Sequence, residues 1–114
     1  MSTSPCYETV SKFGGADSLR LEITPACFYL FPYHHLDMAK CESDKGGDTL
    51  TLSFLNRTVR MTGKNLRDLA IKIQRRDVES VKPKPDKYGV LANDEVWIKS
   101  IEIEDAKQLA EPPG

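Results

Sequence analysis

The chain reads as an α+β domain: a mostly antiparallel sheet of about five to seven strands with one central amphipathic helix packed on one face. Three observations predict it. From Thr49 to Thr62 apolar and polar residues alternate with a period of two, as in a half-buried hairpin. Leu66, Leu69, Ala70 and Ile73 then fall at i, i+3, i+4 and i+7, which is one stripe of a helix. On both sides lie further short apolar runs bounded by Pro or Gly, the punctuation of strands and turns.

The elements follow in order. Residues 1–16 are polar and include Pro5, Gly14 and Gly15, so a flexible N-terminal arm is expected. Leu19, Leu21 and Ile23 alternate with Arg20 and Glu22 in a first strand that Pro25 ends. Cys27 to Phe31 is continuously apolar, as in a strand covered on both faces or an edge lying under a helix. Pro32 interrupts it, and Leu36 to Cys41 continues as a strand after a kink. Lys45-Gly46-Gly47 is a turn before the central hairpin, whose own turn is placed at Asn56-Arg57.

Gly63 is expected to supply a sharp turn, with Asn65 as helix N-cap and Asp68 three residues on, close to a capping box. The helix should run to about Arg76. Val78 to Lys82 reads as a short strand, and Lys82-Pro83-Lys84-Pro85 opens an extended, stiff loop. Val96 to Glu104 is the last strand, and its alternation slips near Lys99-Ser100, where a bulge is expected. A single domain over 17–105 and a frayed tail over 106–114 complete the organisation. The length of 114 residues suits one domain with a core of its own.

The net charge of −1 conceals a strong asymmetry. Residues 1–56 carry 4 Lys/Arg against 7 Asp/Glu, residues 57–87 carry 10 against 4, and residues 88–114 carry 2 against 6. A basic middle between acidic ends can steer an acidic partner to one face, or pair within and between subunits. The three cysteines form no CxxC pair and match no disulfide framework, so free thiols in a reducing cytoplasm are expected. No apolar run approaches the length of a membrane span, and a membrane partner is not expected.

The meander leading into the Leu66-x-x-Leu69 helix and a short strand resembles the small β-rich DNA-binding module of the LytTR type. The same pattern is similar to small uncharacterised bacterial α+β proteins that combine a strand, a Gly and a Leu-x-x-Leu helix. These resemblances imply an architecture, with nucleic-acid binding as what the first would add; they carry no functional residues over to this chain.

The candidate site comes from the helix wheel. With Arg67 at 0°, the apolar stripe occupies about 200–300° and Ile71 falls at about 40°, in the middle of the polar face. Flanked at i−4 and i+4 by Arg67 and Arg75, it makes an apolar anchor rimmed by guanidinium groups, while a solvated face with one stray isoleucine is the plainer explanation. Arg60, Lys64, Lys82, Lys84 and Lys87 could join the same basic surface. The expectation is a non-enzymatic binding module that contacts an acidic protein or another subunit through these residues. Nucleic acid is the alternative, since phosphates need clustered Lys/Arg. Base stacking would also need aromatics on that face, whereas Phe28, Tyr29, Phe31 and Tyr33 read as core.

Other chemistries are less favoured. Cys27, His34, His35 and Cys41 lie close in sequence but lack the paired spacing of zinc ligands. Gly63-Lys64-Asn65 echoes the end of a phosphate loop without its other glycine or its Ser/Thr. No G-x-S-x-G elbow is present, and nothing marks a cysteine as an activated thiolate. Neither a catalytic residue nor a cofactor is assigned.

Overall fold

The computed structural model describes residues 6–10, 14–84 and 95–105. It contains β1 (Tyr7–Thr9), β2 (Ser18–Thr24), β3 (Cys27–Pro32), β4 (Leu36–Asp44), β5 (Gly47–Phe54), β6 (Arg57–Lys64), α1 (Leu66–Gln74), β7 (Val78–Val81) and β8 (Trp97–Asp105). The α+β class holds, but the single sheet does not. The strands divide into two four-stranded sheets, ordered β1-β7-β2-β3 and β4-β5-β6-β8. All pairings are antiparallel except β2 with β7.

The division falls at Pro32. Proline brings no N–H to a ladder and ends β3, and a 3-10 turn over Tyr33–His35 redirects the chain. That turn is tied to the first sheet: the Tyr33 amide donates to Asp17 O (3.0 Å) and its hydroxyl to Val78 O (2.7 Å). β4 therefore pairs forward with β5 instead of back with β3. The two sheets then share one core. Leu19, Leu21, Phe31 and Val81 come from the first, Leu50, Leu52, Phe54, Val59 and Met61 from the second. Phe31 and Phe54 stack across the gap with ring centroids 4.8 Å apart.

Helix α1 packs against β4 and β5, and Leu66, Leu69 and Ile73 enter the same core with Ala70 at its margin. The apolar stripe is therefore the buried face. The expected cap is absent: Asn65 sits at φ 57° and makes no side-chain cap. Its Nδ2 instead donates to Glu95 O (2.7 Å), while Asp48 on β5 accepts from the Leu66 amide (2.9 Å). A carboxylate supplied from another strand does the work of a local cap and complements the positive end of the helix.

The hairpin turn lies at Leu55-Asn56, one residue before the expected place, with Leu55 at φ 30°. Gly63 belongs to the β6 ladder and makes no turn. Opposite it the pairing jumps from Thr62↔Ser100 to Gly63↔Ile98, which leaves Lys99 as the bulged residue. The segment read as an arm contributes β1, and Cys6 is buried, its Sγ accepting from the Ile98 amide (3.3 Å). Residues 106–114, read as a frayed tail, lie outside the described residues. No helix among the described residues is long and apolar enough to cross a membrane.

Tyr33 is the most perturbed of the polar core groups. Burial pushes its phenol well above the usual range; nearby Arg76 opposes the rise and Asp77 adds to it. The folded state thus holds the phenolic proton more tightly than the unfolded chain, whose tyrosines titrate near ~10. This contribution to stability is present below that pH and is lost as pH rises through the interval above it. Denaturant titrations from pH 9 to 12 should show falling stability. The Tyr33→Phe variant should be about 1 kcal/mol weaker at neutral pH, yet have a shallower alkaline slope. An unchanged slope would contradict the assignment.

Candidate functional site

Because the stripe of α1 faces the core, the opposite side of the helix meets solvent. Arg67, Asp68, Gln74 and Arg75 are exposed there and Lys72 is half-buried. Ile71 stands among them with 41% of its surface exposed. It borders a shallow groove of about 370 Å³ whose other walls are Tyr7 from β1, Val96 beside β8, and Asp68, Lys72, Arg75 and Glu95. Its lining combines the apolar Tyr7, Ile71 and Val96 with two cations and two carboxylates. Arg67 lies on the far side of Ile71, close enough to Cys41 that its charge acts on that thiol. Among the described residues, neither Arg67 nor Arg75 forms an ion pair.

The remaining basic candidates do not gather around this groove. Arg60 alternates with buried Val59 and Met61, so it points from the outer face of its sheet, away from the helix. There it approaches Glu102 (3.8 Å) and Glu104 (3.5 Å), which offset its charge. Lys64 lines a different hollow of about 710 Å³, with Lys45 and Lys99 at its edge and the Gly46-Gly47 turn at one end. Lys82 is exposed beyond β7, and Lys84 is held by its backbone, its amide donating to Ile98 O (2.8 Å) and its carbonyl accepting from Trp97 Nε1 (2.8 Å). Lys87 lies outside the described residues. Of the eight named positions, the helix unites Arg67, Ile71 and Arg75.

The aromatic reading needs correction. Phe31 and Tyr33 are buried, but Phe28 is 58% exposed and Tyr29 41% exposed on β3. A continuous apolar run marks a strand without saying whether a second layer covers it. Tyr7 and Val96, which complete the groove, were also missed as site residues: Tyr7 is one aromatic in a strand of three residues, and Val96 was read only as the start of the last strand, since nothing local shows that strand beside the helix.

Among the described residues no thiol is hydrogen-bonded to an imidazole. His34 and His35 rings contact each other edge to face, with centroids 4.5 Å apart. Cys27 and Cys41 are exposed and unbridged. The Cys41 thiol is pushed up by partial burial and then by Asp48, with Arg67 opposing, which is the reverse of an activated nucleophile. Among the described residues no three His, Cys, Asp or Glu side chains gather as a metal site. Compared with known proteins, the chain matches no family model, no curated protein and no solved structure.

Proposed function

We infer that the protein is a non-enzymatic binding module whose helix face docks an acidic segment of a partner protein. The observation that carries this reading is Ile71, 41% exposed in a groove it lines with Tyr7 and Val96 and flanked by two arginines without ion pairs among the described residues. Burying an exposed aliphatic side chain is worth about 1–2 kcal/mol. Guanidinium groups on either side favour carboxylates and would fix the register of the incoming chain. The fitting ligand is therefore a short segment with an apolar residue between acidic ones. Asp68 in the groove lining would turn away a segment whose own acidic residues fall on that side, so orientation follows from the same charges.

Two titrations followed by backbone NMR of the full chain test this: one with a peptide of leucine flanked by glutamates, one with duplex DNA. The peptide should shift amides across residues 67–75 and at Tyr7 and Val96. Ile71→Asp should weaken that binding at least tenfold, and more than Arg67→Ala does. If DNA binds more tightly, with affinity collapsing between 50 and 200 mM salt, phosphate recognition replaces the peptide reading. No response to either ligand in this region would refute the site.

A further inference from the structure

The larger hollow at the end of the second sheet is lined by three lysines that come from three separate elements. Lys45 stands in the turn between β4 and β5, Lys64 is the last residue of β6, and Lys99 is the residue that bulges from β8. A bulge re-aims a side chain, and this one adds a third ammonium to a lining that already holds two. Positions 45, 64 and 99 form no run along the chain, so only the fold groups them. Among the described residues none of the three forms an ion pair, whereas Arg20, Lys40, Arg60 and Arg76 all do.

Two carboxylates share the lining, and both meet backbone donors. Asp44 Oδ1 accepts from the Gly46 amide (2.8 Å) and Asp48 Oδ2 from the Leu66 amide (2.9 Å). Their charge still weighs against a lone anion, because it offsets much of the field of three ammoniums. A ligand whose negative groups are set apart fares better, since each group can meet a lysine of its own while the carboxylates keep their amides. Thr49 and Thr62 add hydroxyl groups to the same lining, the second shared with Ser100 Oγ at 2.7 Å. The volume of about 710 Å³ is nearly twice that of the helix groove and lies within the ~300–1,000 Å³ usual for small-molecule sites.

We propose that this hollow binds a small polyol carrying two phosphate groups, such as a sugar bisphosphate. Lys45, Lys64 and Lys99 take the phosphates, and the threonine hydroxyls take the polyol. A nucleic-acid strand does not suit it. In the next row of the sheet, Lys40 and Arg60 flank Thr51, and their charges are met by Glu42, Glu102 and Glu104, so no positive track leads on from the hollow. Trp97, the aromatic in the lining, is 4% exposed and offers no face for a base to stack on. The lysine of Gly63-Lys64-Asn65 thus meets phosphate from the end of a strand, without the backbone cradle of a phosphate loop.

Fructose 1,6-bisphosphate titrated into the full chain at about 150 mM salt tests this by backbone NMR. Amides of residues 45–49, 62–64 and 97–100 should shift and saturate, while those of residues 71–75 and of Tyr7, at the helix groove, stay in place. Lys64→Gln and Lys99→Gln should each weaken binding about fivefold or more. Together they should abolish it, with the melting temperature of the free protein unchanged. Lys40→Gln removes the same charge from the same sheet outside the hollow and should leave the affinity unaltered. Inorganic phosphate and fructose should each bind about tenfold more weakly than the bisphosphate, or worse. The proposal is overturned by the absence of saturable shifts at about 10 mM bisphosphate, by equal weakening in Lys40→Gln, by inorganic phosphate binding as tightly as the bisphosphate, or by duplex DNA binding more tightly at the same residues.

Discussion

Replacing Gly63 with alanine is expected to destabilise the fold by about 3 kcal/mol or more, at or above the upper end for overpacking a well-filled interior. A Cβ at Gly63 would overlap the carbonyl oxygen of Trp97 and lie 2.8 Å from its carbonyl carbon and 3.1 Å from Ile98 Cα. All three are backbone atoms, so no side-chain rotation relieves the clash and β8 itself must retreat. That retreat is opposed on its far side: Ile98 O accepts from the Lys84 amide, and the Ile98 amide donates to Cys6 Sγ. Gly63 is also close to β5, since a Cβ at Gly47 would stand 2.7 Å from Gly63 O. Urea unfolding of Gly63→Ala beside Gly46→Ala, where the added carbon meets only the Asp44 carboxylate at 3.4 Å, isolates the effect. Equal midpoints for the two variants would show that the bulge at Lys99 yields freely. The glycine that echoes a phosphate loop thus has a packing reason of its own.

What could be read from the residues depended on the range of the interaction. Alternation at Leu19–Ile23 and Leu50–Met61 reports which side of a strand is buried, and the structure places those strands within two residues of the expected bounds. The slip at Lys99 is likewise local, since an extra residue interrupts a period of two. Ile71 was legible because a helix wheel is also local. The division into two sheets was not, because the same alternation suits β4 whether it pairs with β3 or with β5. What decides it is the docking of Tyr33 on Asp17 and Val78, residues 16 and 45 positions away. The cap failed for a similar reason: Asp48, a strand away, outcompetes Asn65 for the helix amides. The wider basic cluster failed because a run of charges along the chain is folded onto opposite sides of one sheet, where Arg60 meets glutamates that the charge count could not assign to it.

Phe54→Ala is expected to cost about 3–5 kcal/mol, the range for emptying a buried aromatic site. Against a total stability of roughly 5–15 kcal/mol for a domain this size, that is enough to approach unfolding at body temperature. Phe54 is 2% exposed and closes β5 beside Leu36, and its ring is the stacking partner of Phe31 in the other sheet. Truncation leaves a void between two sheets that cannot both collapse into it, since Leu36 and Arg57 pin β5 on either side. Phe54→Leu, which keeps most of the volume but not the ring, should cost clearly less. Hydrogen exchange makes the prediction local as well as global: amides of β3 should lose protection in Phe54→Ala before those of β5 and β6, because β3 is an edge held to the core largely by Phe31. A melting temperature within about 3 °C of the parent chain, or uniform loss of protection across both sheets, would mean that the sheets do not depend on this contact. The stacked pair would then be a consequence of their packing and not its cause.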